Sequence, residues 1–405
     1  MFENLVKQDA GNSISSDIKK HIFPGAVLFS GSVASGKLTA ALETARVLSC
    51  YGQNRGSWQC DCPSCLQHKA LTCTNLLLLG PRDCFLEIQA AKKTFLESYK
   101  QNATYLTASR YLFLRSIRKL TLRFNGILWQ GENNLNKIAA LMDEINVLLE
   151  SLDFPRSLPP YEETEKLCEE LAEKSLKLEN EYLYDSIPVN QIRNMEAWAH
   201  IKSEEGKKTV IIENADRMQN SVRNALLKIL EEPPEDCVFI LLTSKRNAMM
   251  ETILSRVRTY NFKERTLEEQ SGVITRVFHN DAFSKSISDY LLTFLPVSPD
   301  EIKAQSDLFY NSICLRSIPD ISSIVKKCGN FNPRVELQLF IKNLIEHQKK
   351  LLGSAAGCET SAKCMELLRN FYDSIIMYNQ SPAAALECLL RDMSALNVKN
   401  GGIFC

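Results

Sequence analysis

The sequence predicts an α/β domain, with a parallel sheet covered on both faces, joined to all-α regions. Three observations carry that prediction. Four short apolar runs alternate with segments of helical periodicity, a glycine loop sits where the first run feeds a helix, and no strand candidate follows Phe262.

The size and composition bound the rest. At about 150 residues per domain, 405 residues predict two or three domains. Apolar residues at 45% and charged residues at 24% exclude a disordered or fibrous chain. The charges balance, 48 basic against 48 acidic, which argues against gripping nucleic acid through a bulk positive field. No apolar stretch approaches the ~18 residues of a membrane span, and MFENLVKQDAG is too polar for a secretory signal, so a cytoplasmic protein without membrane contact is expected. In that reducing compartment the 14 cysteines read as buried apolar groups, metal ligands or reactive thiols rather than disulfides.

Residues 4–22 have the spacing of a short amphipathic helix and lead into AVLFSG, a buried-strand run ending at Gly31. GSVASGK then turns the chain into LTAALETARVLSC, whose apolar residues recur at helical spacing. LTCTNLLLLGP predicts a second strand, KKTVIIENAD a third and DCVFILLTS a fourth; a helix through SVRNALLKILEE, ended by Pro233-Pro234, separates the last two. Residues 85–183 carry helical periodicity without a strand of matching quality, and are too long for a loop, so they predict a helical insertion. Beyond Phe262 the chain reads as helical, with Asn332-Pro333 and Ser381-Pro382 as turns or helix starts.

Gly31-Ser-Val-Ala-Ser-Gly36-Lys37 fits the first seven positions of G-x-x-x-x-G-K-[ST]. Small residues let backbone N–H groups approach a phosphate at the positive end of a helix, and Lys37 adds a point charge. The eighth position is Leu38, which cannot ligate magnesium, and Thr39 lies one residue on, about 100° around the helix. A nucleotide hydrolase also needs an Asp at an adjacent strand end to hold magnesium, commonly followed by a Glu that polarises water. Here the strand ends in Glu213, a longer substitute, and Asn214, which cannot act as a base; Asp216 is placed to cap a helix. The pattern predicts a phosphate site able to take ATP with little or no hydrolysis.

Cys50, Cys60, Cys62 and Cys65 supply four thiolates, the number that closes a tetrahedral structural zinc site. A catalytic zinc would keep a position open and recruit His or carboxylate ligands. His68 and Cys73 are substitute ligands if the short Cys60-Asp-Cys62 step is strained.

Several segments together resemble the clamp-loader AAA+ subunits of bacterial DNA polymerase III: FENLVKQDA, GSVASGK, the four cysteines, IPVNQIR, NALLKILEEPP and ILSRVR. The resemblance covers residues 1–84 and 184–265 clearly, and the C-terminal part more faintly through FNPRVELQLF and NQSPAAALECLL. It implies an AAA+ P-loop-type domain over 1–84 and 184–265 with a zinc module at 50–65, a helical lid over 266–325, and a helical collar for oligomerisation over 326–405. Within the family the motor subunits keep intact nucleotide motifs, whereas the delta-prime subunit has degenerate ones; Leu38 and Glu213-Asn214 depart in the delta-prime direction.

The resemblance further implies a hetero-pentamer with gamma/tau motor subunits and delta, acting on primed DNA and, indirectly, on a sliding clamp. In it a delta-prime-like stator presents Arg256, beside Ser255, as an arginine finger to ATP on a neighbouring subunit, with zinc structural and its own ATP unhydrolysed. Two alternatives stay open: an active motor ATPase using Gly31, Gly36, Lys37, Thr39 and Glu213, and a zinc-stabilised DNA-binding adaptor. Ile187 to Arg193 is a candidate DNA-facing helix start; Lys228, Glu231 and Glu232 read as solvated helix residues.

The insertion falls outside the resemblance. Residues 92–123 hold eight basic groups (Lys92, Lys93, Lys100, Arg110, Arg115, Arg118, Lys119 and Arg123) against Glu97, interleaved with Tyr99, Tyr105, Tyr111 and Phe113. Residues 143–185 hold 13 acidic groups against four basic ones. The pattern predicts a self-neutralising helical hairpin; docking to a partner protein and contact with DNA, with aromatics stacking on bases, are the other readings.

Overall fold

Five parallel strands form one sheet: β1 (Ala26–Gly31), β2 (Leu76–Leu79), β3 (Lys208–Ile212), β4 (Cys237–Thr243) and β5 (Arg258–Phe262), in the order β2-β3-β4-β1-β5. This is a computed structural model that describes residues 1–203, 206–332, 334–402 and 404; Pro333 of the expected turn lies outside them. Four of the strands are the apolar runs of the sequence. The fifth escaped the pattern because its buried and exposed residues are interleaved: Tyr260 and Phe262 point inward while Arg258 and Asn261 are exposed.

Strand alternation divides the core in two. Leu28, Leu77, Leu79, Val210, Ile212, Phe239 and Leu241 face one side, and Val27, Phe29, Leu76, Leu78, Ile211, Val238 and Ile240 face the other. The second side is covered by α1 (Ala10–Lys19) through Ile14 and Ile18, and by α2 (Lys37–Leu48) through Leu38, Ala41 and Ala45. A short helix, α3 (Pro63–Ala70), follows α2 and begins with proline at its first turn, where the missing N–H costs nothing.

The first side is covered largely by the insertion, which is helical as predicted: α4 (Phe85–Lys100), α5 (Leu106–Thr121), α6 (Leu135–Leu152) and α7 (Tyr161–Tyr182). Phe95, Phe113, Ile117, Ile145, Leu149 and Leu171 lie in the same apolar cluster as the strands, so the insertion is part of the domain core. α8 (Val189–His200) and α9 (Asn220–Glu231) complete this layer with Ile192, Met195, Leu226 and Leu230.

Charge neutralisation between the two segments does not organise the insertion. Arg118 does pair with Asp153, but Lys174 pairs with Glu144 and Glu170 inside the acidic segment. Arg110 is buried and donates to the carbonyls of Leu152, Asp153 and Arg156 at the end of α6. The aromatic rings are spent internally too: Phe113 is fully buried, Tyr99 donates to the Pro159 carbonyl, Tyr111 stacks on Phe154, and Tyr105 stacks on His279.

After α10 (Glu251–Leu254) and β5, α11 (Leu267–Phe278) opens with a full capping box between Thr266 and Glu269, and α12 (Ile287–Leu292) follows. The described chain forms two compact units, residues 1–290 and 291–405. The second unit is all-helical: α13 (Pro299–Leu315), α14 (Ile321–Lys327), α15 (Arg334–Gln348), α16 (Ala355–Ile376) and α17 (Pro382–Lys399). Ser298, Asp320 and Ser354 cap three of these helices, and Pro382 starts α17 as expected from Ser381-Pro382. Phe309, Phe340, Leu344, Leu386 and Met393 form its interior. No described helix is long and apolar enough to cross a membrane.

Within this unit Glu336 is fully buried against Gly329, whose positive φ of 61° and contact with the carboxylate leave no room for a side chain. Burial raises the Glu336 pKa to about 7, with the N–H groups of Val297 and Asn332 opposing; Cys328 and Glu301 are nearby. A carboxyl raised in the folded state stabilises the protein fully below the unfolded value near 4.5, and that contribution is lost as pH rises through 7. Glu336→Gln is therefore expected to stabilise the chain by up to about 3 kcal/mol at pH 8 and by little at pH 4.5, read from thermal melts at the two pH values.

Candidate nucleotide and metal sites

β1 ends at Gly31, and the loop to α2 passes through Ala34 and Gly36 with positive φ angles of 60° and 94°. Both motif glycines are demanded by packing. A Cβ on Gly31 would stand 2.5 Å from the Phe262 carbonyl oxygen of β5, and one on Gly36 would meet Leu5 and the Arg265 guanidinium. Arg265, buried just after β5, donates to the carbonyls of Ala34 (2.5 Å) and Val6 (2.8 Å), tying the loop to the N-terminal segment. Its position after a strand gave no sequence signal for this role.

Lys37 folds back on its own loop, with Nζ 2.7 Å from the Gly31 carbonyl, 2.6 Å from that of Ser32 and 3.3 Å from Ser35 Oγ. Burial lowers its pKa to about 8; Glu213 and Asp216 oppose that shift and Arg82 adds to it. Leu38 is buried among Phe2, Leu5 and Ile14, so the eighth motif position serves the core. Thr39, next on the helix, is half-buried.

At the end of β3 the Glu213 carboxylate is held on both oxygens: Arg82 reaches Oε1 at 2.5 Å and Arg123 of the insertion binds Oε2. Arg123 is fully buried and also donates to the carbonyls of Gly80 and Lys119. Glu87, on the first turn of α4, pairs with both Arg82 and Lys119, and these cations hold its carboxyl well below the usual range despite burial. Asn214 adopts φ +52° and donates to the Pro81 carbonyl. Asp216 caps no helix; its carboxylate accepts a 2.6 Å bond from Thr243 at the end of β4.

Beyond the C-terminal ends of β1 and β4 lies an open cleft of about 720 Å³, lined by Ser30, Gly31, Ser32 and the segment Ser244 to Ala248. Ligands of open parallel sheets bind outside the carboxyl ends of the strands. Lys245 and Arg246 are exposed here and belong to no motif of the sequence.

The Sγ atoms of Cys50, Cys60, Cys62 and Cys65 all lie within 4.8 Å of one another. A tetrahedral zinc with bonds near 2.3 Å sets sulfurs about 3.8 Å apart, and Cys50 and Cys60 stand at 3.6 Å. Burial raises the Cys62 thiol, yet the backbone N–H groups of Cys65 and Tyr51 outweigh it and hold it at about 6; burial drives Cys65 upward against the Arg46 charge. The Gly56 N–H donates to Cys50 Sγ, and Arg46 donates to Cys65 Sγ at 3.1 Å. Donors aimed at sulfur are what a zinc-bound thiolate cluster requires, so the four cysteines could hold zinc. His68 and Cys73 pair with each other at 3.4 Å, outside the four-sulfur group.

Arg46 links this group to the glycine-loop helix. It is almost completely buried, paired with Glu43 on the same helix, and donates to the carbonyls of Gly56 and Ser57. Arg256 follows α10 and is a quarter exposed; it grips Glu231 at the end of α9 (Nε to Oε1 2.7 Å) and donates to the Thr252 carbonyl. Ser255 is exposed and donates to the same carbonyl. Glu231 is thus the partner of Arg256, beyond the solvated role its sequence suggested.

A five-stranded parallel sheet with a glycine loop at the end of β1, between β4 and β5, and a cysteine cluster compatible with zinc, is consistent with an AAA+ α/β domain joined to helical regions. The profile of the family described as DNA polymerase III, delta subunit, matches residues 161–266. Curated relatives include the DNA polymerase III subunit tau of Bacillus subtilis, 39% identical over 70 residues (17% of this chain and 12% of that one). The delta' subunits of Bacillus subtilis and Haemophilus influenzae are 42% identical over 60 residues and 36% over 76, covering 15% and 18% of this chain and 18% and 23% of theirs. These matches support a clamp-loader AAA+ family member. The chain spans less than a quarter of the length of each of these three relatives.

The hydrogen bond from Arg46 to sulfur gives a direct test. Arg46→Lys keeps the charge beside Glu43 but loses the planar fork, and is expected to lower zinc affinity about tenfold in competition with a chromophoric chelator. Cys62→Ser should abolish stoichiometric zinc in the purified chain, read by metal analysis.

Proposed function

We propose that this chain is a delta-prime-like subunit of a DNA polymerase III clamp loader: a stator that hydrolyses no ATP, presents Arg256 to ATP on a neighbouring motor subunit, and helps place a sliding clamp on primed DNA. The observation that carries this reading is the commitment of both magnesium-holding positions, Leu38 to the core and Glu213 to two guanidinium groups. With Asn214 donating to Pro81 in place of a base, hydrolysis lacks a metal ligand and a residue to activate water. The similarity to delta' and gamma/tau subunits supports partnership with gamma/tau motor subunits and delta in a cytoplasmic complex.

In this reading zinc on Cys50, Cys60, Cys62 and Cys65 is structural, fixing the module against α2. Residues 266–325 serve as lid and 326–405 as the collar that joins neighbouring subunits. Arg256 is available at small cost, because a partly exposed pair such as Arg256 with Glu231 contributes only about 0–1 kcal/mol. A γ-phosphate presented by a neighbour can displace Glu231 and recruit the guanidinium to transferring charge.

The motor-ATPase reading stays testable against this one. Steady ATP hydrolysis by the purified chain, lost in Lys37→Ala, would favour a motor. The stator reading expects none alone, and stimulated hydrolysis when the chain is mixed with motor subunits. Arg256→Ala should leave the melting temperature nearly unchanged and cut that stimulated hydrolysis about tenfold or more, since an arginine supplied in trans is worth about 10³ to 10⁵ in comparable phosphoryl transfers.

A further inference from the structure

We propose that the helical insertion acts as a built-in substitute for magnesium, closing the end of β3 by placing Arg123 on Glu213. The inference rests on the stator reading and gives the otherwise unexplained residues 85–183 a function in it. In a hydrolase the carboxylate at this strand end faces a hydrated divalent cation. Here its two oxygens face two guanidinium groups, Arg82 from the end of β2 and Arg123 from the insertion, and the side chain is 11% exposed. Two fixed positive charges at one carboxylate both satisfy it and repel an arriving cation.

The placement is held from several directions. Arg123 is anchored by the carbonyls of Gly80 and Lys119, and its own carbonyl accepts from Trp129 Nε1 at 2.8 Å. Glu87 of α4 gathers Arg82 and Lys119 into the same cluster. Further along α5, Arg115 and Arg118 donate to the carbonyls of His68, Lys69 and Ala70, the last turn of α3 beside the cysteine group. Cations at a helix C-terminus are favourable there. α5 is therefore fixed to the zinc module through Arg115 and Arg118, and the 3₁₀ turn that follows it carries the group that closes Glu213.

Magnesium itself is the probe, added as millimolar MgCl₂ to the full chain, with thermal unfolding and the fluorescence of Trp129 beside Arg123 as readouts. Wild type should show no magnesium-dependent shift. Arg82→Met with Arg123→Met should gain a magnesium-dependent rise in melting temperature of about 2 °C or more, lost again when Glu213→Gln is added. A wild-type shift abolished by Glu213→Gln, or no gain in the paired variant, overturns the proposal. If the arginine variants fail to fold, the cycle of Arg123→Met with Glu213→Gln decides instead. Removing one partner leaves a buried charge, so adding Glu213→Gln should restore folding, and failure to do so overturns the pairing. Stimulated hydrolysis with motor subunits tests the stator reading separately, since it depends on Arg256 and not on Glu213.

Discussion

Glu213 lies at the end of an interior strand and is 8% exposed, with a charge that cannot stay there alone. An isolated carboxylate in such a place either takes a proton or draws a cation, and the energy at stake is several kcal/mol. Arg82 and Arg123 supply the cations. Much of the first unit follows from how they are delivered. Arg82 needs the chain to leave β2 through Gly80, whose positive φ and close approach to the Glu213 carbonyl exclude any other residue. Arg123 needs the insertion to pack on the sheet, because a guanidinium that is 0% exposed can be presented only by an element inside the core. The insertion therefore completes both the apolar layer and the charge balance of the same sheet face.

The glycine loop shows how a motif can keep its form while its groups are redirected. Gly31 and Gly36 remain because β5, Leu5 and Arg265 crowd them, and those contacts would hold with or without a phosphate. Lys37 spends its ammonium on the loop carbonyls, and Leu38 joins the apolar cluster that holds Phe2 and Ile14. Arg265 and the N-terminal residues brace the loop from outside. A site held rigid in this way suits a subunit that provides a fixed surface for its neighbours, which is the role proposed here.

The four-cysteine group and the sheet domain share one helix. Arg46 on α2 donates to Cys65 and to two loop carbonyls while its charge is balanced by Glu43, itself bonded to the Phe2 N–H. The glycine loop opens this helix and the cysteine group is held against its far end. Arg115 and Arg118 tie the insertion to the last turn of α3, the helix that carries Cys65. The long sequence separations are bridged by guanidinium groups, whose planar forks satisfy several carbonyls or carboxylates at once.

The sequence by itself determined the parallel α/β class, four of the five strands, the helical nature of residues 85–183 and the grouping of the four cysteines. These are local patterns: uninterrupted apolar runs, helical spacing and short ligand intervals. It also showed that Leu38 and Asn214 depart from hydrolytic motifs, since identity alone decides whether a side chain can ligate or act as a base. Only the tertiary structure decided where the charges go. Arg123 and Glu213 are 90 positions apart, Arg256 and Glu231 are 25, and Arg46 reaches a sulfur 19 residues away. No periodicity encodes such pairings, and the run of basic residues in α5 reads the same whether it faces solvent, nucleic acid or the core. β5 was hidden for a related reason: exposed Arg258 and Asn261 interrupt its buried Tyr260 and Phe262, so no continuous apolar run marks it until β1 is in place beside it.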